Sequence, residues 1–316
     1  MGGSSINYSD LEKHYKTKGY DKVRRAEQVF TSYGMYEPFN PATMKLPREA
    51  CDSAESPRSR GIIFAEDVTG SMGRFLLSLI QNEFPRLIKS IYANVPYNPH
   101  IMFMGVGDVE VGDSAPLQVT QFETDLRMLE QLEKIYLEKG GGSNAWESYI
   151  LPWYFAGKHI EMDCFNKRRE KGFLFTFGDE HPTPSLSASH IRTVFGSREQ
   201  INRSVSAYDC LEMASEKFYC YHIVLHGSRY GYDGRDIVNN WRKLMGSHVC
   251  DLGEHECLPE LVSTILKMYE GVSKTDAIAS INDTHARIVV AKALLEHEEY
   301  VEASCVAEGT SNIEVF

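Results

Sequence analysis

The stretch IIFAEDVTGSMGRF, residues 62–75, determines how the rest of the chain is interpreted. Apolar residues run together without alternation and then give way to two carboxylates, two hydroxyls and two glycines. Such a run predicts a strand that is buried on both faces. An amphipathic pattern over 73–94 predicts a helix directly afterwards. We therefore expect Asp67, Thr69 and Ser71 in the turn that joins a buried strand to a helix.

The same alternation of apolar runs and amphipathic stretches continues along the chain. Further strands are predicted at HIMFMGVGD (100–108), APLQVTQFE (115–123), KGFLFTFGDE (171–180), YCYHIVLHG (219–227) and SHVCDLG (247–253). Further helices are predicted over 125–142, 144–160, 185–196, 206–218, 234–246 and 258–271. Buried strands separated by helices indicate a mostly parallel sheet covered on both faces. Right-handed crossovers then predict a doubly wound, Rossmann-like α/β domain over 61–272.

Two flanking segments do not follow this pattern. Residues 1–60 are predicted to form an N-terminal extension, with a helix over 20–33 and then an irregular arm rich in Pro and Ser. Residues 273–316 are predicted to contain C-terminal helices, clearest over 283–300, and an acidic, weakly apolar tail. Glu314 lies in that tail between apolar neighbours.

The charge and the cysteine content narrow the function classes. A formal net charge of -11 argues against a general nucleic-acid binder, because no surplus of Lys and Arg is available to displace phosphate counterions. The seven cysteines are scattered without compact spacing, which predicts free thiols in a reducing compartment. No apolar run approaches membrane-spanning length, so we expect a cytoplasmic protein that does not enter a membrane.

Three polar segments are expected at one edge of the sheet, because ligands of a doubly wound sheet bind beyond the carboxyl ends of its strands. The first segment carries Asp67, Thr69 and Ser71, whose spacing of two lets their side chains converge on one point. Ser143 in the glycine-rich segment KGGGSNAWES and Asp179 in FTFGDE would add a hydroxyl and a second carboxylate. Oxygen ligands of these types suit Mg2+, with Mn2+ or Ca2+ as alternatives.

These residues resemble the metal-ion-dependent adhesion site of von Willebrand factor A domains, whose first motif is Asp-x-Ser-x-Ser. Asp67, Thr69 and Ser71 match that motif, with Thr in place of the first Ser. Ser143 falls where the family has a Thr on a second loop. Asp179 falls at the Asp of a third loop, although the usual Thr-Asp-Gly reads Gly-Asp-Glu here. The resemblance covers about two thirds of the chain and implies the doubly wound fold of the family.

The second loop admits another alignment. A shift by one residue would make Asn144 the ligand, with Glu147 as an additional acidic group nearby. The two alignments place a different oxygen against the same cation. The sequence leaves the choice between them open.

The resemblance implies a binding protein rather than an enzyme. Members of the family hold Mg2+ and dock an acidic residue of a protein partner. They act in adhesion outside cells and in assembly or regulation inside them, often beside an AAA+ ATPase of the MoxR type. The free cysteines favour the intracellular branch, so the expected function is metal-mediated protein binding or complex assembly.

Three alternative functions or roles compete with this interpretation. Thr69 or Ser71 is also a suitable cap for the helix that follows. A metal-dependent hydrolase or a phosphotransfer accessory could use the same cation, with Glu180 or His181 as the base. No nucleophile motif supports that activity, and Thr69 stands where a phosphatase-type loop would carry a second Asp. Self-assembly through the terminal extensions is the third alternative, in which Glu314 reaches the metal of another copy.

Two other groups of residues have simpler explanations. Asp108 ends a predicted strand at the same edge, where a turn residue is the first interpretation and the ordering of metal-bound waters the second. His248, Cys250, His255 and Cys257 form two His-x-Cys pairs, which zinc would accept. Their spacing matches no structural zinc pattern, so a zinc site is not expected.

Overall fold

The computed structural model describes residues 6, 8–20, 22, 25–70, 72–138, 144, 146–225 and 234–297. Two predicted metal ligands, Ser71 and Ser143, lie outside the described residues, and so does Glu314. The described part is an α/β structure with a mostly parallel central sheet, which confirms the predicted class. No helix within it is long and apolar enough to cross a membrane.

The strands are short except for those at the centre of the sheet. Their bounds are β1 Arg48–Ala50, β2 Ser59–Asp67, β3 Asn98–Val106, β4 Leu117–Val119, β5 Trp146–Glu147, β6 Ile160–Met162, β7 Gly172–Gly178, β8 His181–Pro182, β9 Ser185–Leu186, β10 Val205–Ser206, β11 Phe218–Leu225 and β12 Val249–Leu252. The central sheet has the order β12-β11-β7-β2-β3-β4, in which only the β3–β4 pair is antiparallel. The predicted strands over 100–108, 115–123, 171–180, 219–227 and 247–253 all belong to it.

The helices cover both faces of this sheet. Their bounds are α1 Tyr8–Lys18, α2 Ala26–Val29, α3 Gly73–Ser78, α4 Phe84–Asn94, α5 Arg127–Leu132, α6 Ile150–His159, α7 Asp163–Arg168, α8 Ala188–Phe195, α9 Ala207–Lys217, α10 Gly234–Met245, α11 Leu258–Tyr269, α12 Lys274–Ala279 and α13 Thr284–Ala293. A π-helical turn, Leu79–Glu83, joins α3 to α4. One hydrophobic core lies between the sheet and α1, α3, α4, α11 and α13. The other lies beneath α6, α8, α9 and α10.

Strand β2 explains why the opening stretch lacks alternation. All nine of its residues are buried, with β3 on one side and β7 on the other. Ile62 and Phe64 enter the first core, whereas Ile63 and Ala65 enter the second. A strand at the centre of a sheet covered on both faces needs apolar side chains at successive positions, because both faces are buried.

Three predicted helices differ in the structure. The helix over 125–142 ends at Leu132, where a turn follows and the chain is then held by Gln118. The side chain of Gln118 bonds both backbone groups of Tyr136, at 2.8 Å each. The predicted helix over 144–160 begins only at Ile150, after strand β5. Within 20–33 the structure describes only the short helix α2.

The N-terminal region contains a helix that the sequence analysis missed. Helix α1 buries Leu11 and Tyr15 in the first core. On its other side, His14 and Lys18 bond the buried carboxylate of Glu133, at 3.0 and 2.7 Å. The helix was missed because most of its residues are polar or charged, which leaves only a narrow apolar stripe.

A buried arginine at the start of β2 is expected to contribute strongly to stability. The Arg60 guanidinium lies over the rings of Tyr97 and Phe173, and it donates to Glu270 at 2.7 Å. Replacement by Met should lower the free energy of unfolding by about 2–4 kcal/mol, because Glu270 loses its partner in a partly buried position. Urea denaturation measures the change.

The matched control for this prediction is Arg58→Met. Arg58 pairs with Glu170 at 2.6 Å, but its side chain is 49% exposed. We expect a loss below about 1 kcal/mol, as for exposed ion pairs generally. Equal losses for the two variants would contradict the role assigned to Arg60.

Candidate metal centre

Three buried carboxylates lie at the edge of the sheet where parallel strands end. Asp67 is the last residue of β2 and lies opposite Val106 of β3. Asp108 follows β3 and Asp179 follows β7. The residues Asp67, Asp108 and Asp179 are 0%, 1% and 4% exposed. The structure therefore brings together the predicted pair, Asp67 and Asp179, because β2 and β7 are neighbours.

The spacing of two between Asp67 and Thr69 has a local structural cause. The Asp67 Oδ1 atom accepts hydrogen bonds from the Thr69 backbone N–H at 2.8 Å and from the Thr69 hydroxyl at 2.6 Å. Helix α3 begins after Met72, and within the described part no side chain caps it. Capping by Thr69 was therefore the wrong alternative, and the hydroxyl of Thr69 turns toward Asp67 instead.

Tyr149 holds the other oxygen of Asp67. Its hydroxyl donates to Asp67 Oδ2 at 2.8 Å. Burial raises the pKa of Tyr149 well above its usual value, and the nearby carboxylates add to the rise, so the hydroxyl keeps its proton. Both oxygens of Asp67 are thus oriented by partners, as expected for a residue that presents a lone pair in a fixed direction.

Burial and mutual repulsion disfavour the ionised forms of the carboxylates at this edge. Burial raises the pKa of Asp67 to about 7, and the charge of Asp179 contributes, against the lowering effect of hydrogen bonds from Thr69 and Tyr149. Burial likewise raises the pKa of Glu147 to about 10, and the charges of Asp67 and Asp108 add to the rise. A divalent cation would offset this repulsion and allow the carboxylates to ionise.

The segment that contains Glu147 pairs with the segment that follows Asp179 through two strands of two residues each. β5 pairs in parallel with β8, so that Trp146 is opposite His181 and Glu147 is opposite Pro182. The hydroxyl of Thr183 donates to the Glu147 carbonyl at 2.6 Å. This pairing, which was not predicted, fixes the backbone of Glu147 against the segment that follows Asp179.

Asp108 connects the second loop to the sheet. Its Oδ2 atom accepts the Asn144 amide at 2.6 Å, and its Oδ1 atom accepts the Ser148 hydroxyl at 3.1 Å. Oδ1 also accepts the backbone N–H of Glu110 at 2.9 Å, which closes a turn. The turn interpretation of Asp108 is confirmed, and the residue has an additional role in anchoring Asn144.

The polar groups at this edge are of the chemical type that a hard cation prefers. The donors are carboxylate and hydroxyl oxygens, and the buried Oε2 atom of Glu147 has no hydrogen-bond partner among the described residues. Within those residues, no three His, Cys, Asp or Glu side chains form a group that could hold a metal ion. The predicted ligand set relies on three hydroxyls, and two of these, Ser71 and Ser143, lie outside the described ranges.

His181 was considered as a hydrolase base and His248 as a zinc ligand, and both contact other side chains in the structure. His181 bonds Asn240 at 3.1 Å, and its ring lies 5.7 Å from that of Trp146. The ring of His248 stacks on Tyr221 with a centroid distance of 4.8 Å. These contacts are of the kind that packed, structural histidines make.

Replacement of Tyr149 by Phe tests the orientation of Asp67. The variant keeps the ring in the core but removes the donor to Asp67 Oδ2, so we expect Mg2+ affinity to fall by roughly tenfold or more. Isothermal titration calorimetry measures the change. Tyr154→Phe is the matched control, because Tyr154 lies on helix α6, which begins directly after Tyr149, and its hydroxyl bonds Glu199 at 2.7 Å instead. Equal affinities for the two variants would contradict the role of Tyr149.

Comparisons with known proteins do not assign the chain to a family. No family model matches it, and no curated protein does. Among solved structures, the open conformation of the pilus adhesin SpaC from Lactobacillus rhamnosus GG matches with 10% identity and a TM-score of 0.44, over 67% of this chain and 30% of that one. Another crystal form of the same adhesin gives a TM-score of 0.43 over 31% of its length. The chain thus spans less than a third of the adhesin, and a likeness this weak supports no argument about function.

Proposed function

We propose that this chain is a von Willebrand A-type protein with a doubly wound, Rossmann-like fold that binds Mg2+ at the edge formed by Asp67 and Asp179. The order of the central strands and the helices on both faces support this fold. The first loop would contribute Asp67, Thr69 and Ser71 to the cation, the second loop Ser143 and the third Asp179.

The proposed activity is the docking of an acidic side chain from a protein partner. A Mg2+ ion held by few carboxylates and several neutral hydroxyls would keep enough positive charge to attract a further carboxylate. Asp67 would be held in position by Tyr149 and by the backbone of Thr69. The proposed function is binding rather than catalysis, because the sequence contains no nucleophile motif and the described residues form no cluster of carboxylates for a two-metal centre.

The observation that carries the proposal is the arrangement around Asp67. A fully buried carboxylate that ends a central strand accepts three hydrogen bonds and lies close to the charge of a second carboxylate. A cation is the simplest partner for such a pair. An AAA+ ATPase of the MoxR type and a second copy of this chain are the candidate partners that the resemblance and the terminal extensions suggest.

Affinity purification from native cells tests the proposal. The wild-type chain and Asp67→Ala would be used as baits, each with Mg2+ and with EDTA. We expect a partner that is recovered with the wild type in Mg2+ and lost both in EDTA and with the variant. Recovery of the same partners under all four conditions would contradict metal-mediated docking.

A further inference from the structure

A cavity of about 250 Å3 lies between the N-terminal extension and the first loop. The extension lines it with residues from 26–33, and the first loop and the start of α3 line it with Thr69, Gly70 and Gly73. Leu137 and Glu138 complete the lining. Of the described residues that the proposed function assigns to the cation, Thr69 alone lines this cavity. It is therefore a separate site that adjoins the first loop.

Hydrogen bonds hold the walls of the cavity together. The hydroxyl of Ser32, in the N-terminal extension, donates to the Lys134 carbonyl at 2.6 Å. The backbone N–H of Glu138 donates to the Val68 carbonyl, just before the first loop, at 3.0 Å. The three segments are thus tied to one another, so the cavity is already formed in the folded chain, as ligand sites usually are.

The cavity carries negative charge. Glu138 is 8% exposed, and its Oε1 atom accepts hydrogen bonds from the Ser114 hydroxyl and the Ala115 N–H, at 2.8 Å each. Glu27, which is exposed, is the second carboxylate of the lining. The described lining includes no Lys, Arg or His. An oriented, buried carboxylate without a cationic neighbour in the lining favours a positively charged occupant.

The remaining lining is largely apolar and includes two aromatic residues. Phe30 and Leu137 are among its apolar members, and Tyr33 is the second aromatic one. The side chain of Tyr33 is 96% exposed, so its ring is open to a group from outside the chain. The neighbouring Tyr36 already receives a cation of the chain itself, because Lys134 Nζ lies 5.3 Å from the centroid of its ring. Rings beside carboxylates suit a cation that can both stack and donate hydrogen bonds.

We propose that this cavity binds an arginine side chain of a protein partner. An engineered apolar cavity of about 150 Å3 holds benzene, so the larger cavity here has room for a guanidinium group and part of its stem. Arginine fits better than lysine, because its planar group stacks on rings and donates paired hydrogen bonds to a carboxylate. An exposed tyrosine is of the residue type enriched at protein interfaces, which favours a protein as the source of the cation. The inference goes beyond the proposed function and requires no cation at Asp67.

Saturation-transfer NMR of the full chain in EDTA tests the inference, with the peptide acetyl-Gly-Arg-Gly-amide as the probe. We expect the peptide with citrulline in place of arginine to bind at least roughly tenfold more weakly, because it has the same shape without the charge. Glu138→Gln should weaken binding of the arginine peptide by at least roughly fivefold for the same reason. Gly73→Leu should abolish it by filling the cavity, since a Cβ atom at residue 73 meets only Leu137 Cδ1, at 4.0 Å.

Two controls accompany these variants. Glu110→Gln removes an exposed carboxylate at the same edge of the sheet that does not line the cavity, and it should bind the arginine peptide as the wild type does. Tyr33→Ala should weaken binding by roughly threefold or more, because it removes a ring on which the guanidinium stacks. Tyr208→Ala is its matched control, because that tyrosine is also exposed, at 65%, and lies outside the lining.

The outcomes are independent of the proposed function, because EDTA is present throughout. Absence of binding by the wild type, equal binding of the arginine and citrulline peptides, or unchanged binding by Gly73→Leu would overturn the inference. Tighter binding of agmatine than of the arginine peptide would overturn the assignment to a protein partner. If Glu138→Gln or Gly73→Leu fails to fold, Tyr33→Ala decides, because its exposed ring lies outside the core. Failure of Mg2+ to bind would overturn the proposed function alone.

Discussion

Magnesium is expected to raise the midpoint of thermal unfolding of the wild-type chain and to leave that of Asp67→Asn unchanged. A ligand that binds only the folded state stabilises it by about 2.7 kcal/mol at a hundredfold excess over its dissociation constant, which is a shift of roughly 5 °C for a domain of this size. Asn preserves the shape of the side chain but removes the charge on which the site depends. Thermal unfolding in Mg2+ and in EDTA gives the two shifts.

Glu110→Gln is the control for this experiment. Glu110 is an exposed acidic residue of the loop that follows β3, at the same edge of the sheet. Its variant should retain the full Mg2+ shift, because the residue contributes only its backbone N–H to Asp108. A shift for Asp67→Asn as large as that of the wild type would place any cation elsewhere.

Replacement of Gly178 by Ala is expected to destabilise the chain by about 3 kcal/mol or more. A Cβ atom at this position would lie closer than 3.0 Å to the Tyr149 hydroxyl oxygen and to two atoms of its ring. The ring cannot move aside easily, because it is fully buried against His222 and Trp241, with centroid distances of 5.2 and 5.5 Å. Movement of Tyr149 would also remove its hydrogen bond to Asp67. We therefore expect a lower free energy of unfolding by urea denaturation and a lower Mg2+ affinity by titration.

Gly253→Ala provides the comparison. A Cβ atom added there meets no heavy atom of the described residues within 4 Å, and the backbone conformation suits any residue. We expect a change within about 0.5 kcal/mol. If Gly178→Ala were equally mild, the close approach of Tyr149 to β7 would not be a feature of the folded protein.

The strands were predictable because a strand buried on both faces is apolar at successive positions, and this pattern can be read from the local sequence. β2, β3, β7 and β11 each appear as a mainly apolar run without alternation, and because they are parallel their carboxyl ends lie at the same edge. The positions of Asp67 and Asp179 followed from that pattern. No contact between distant segments had to be known.

The features that were missed depend on contacts between distant segments. β5 contains only two residues, and it exists because it pairs with β8, so the helix predicted over 144–160 extended too far toward its N-terminus. The ring of Tyr149 is fully buried, as is common for an aromatic residue of the core. Its hydroxyl partner, Asp67, is 82 residues away in the sequence. The glycine before Asp179 was the available signal, because Gly178 leaves the room that the tyrosine occupies.

The proposed function requires one divalent cation at the edge formed by Asp67 and Asp179. Isothermal titration calorimetry of the full chain with Mg2+, after removal of metal with EDTA, measures whether that cation binds. We expect one Mg2+ per chain for the wild type and loss of that binding in Asp67→Asn. Absence of a binding isotherm for the wild type, or an unchanged isotherm for the variant, would contradict the proposed function.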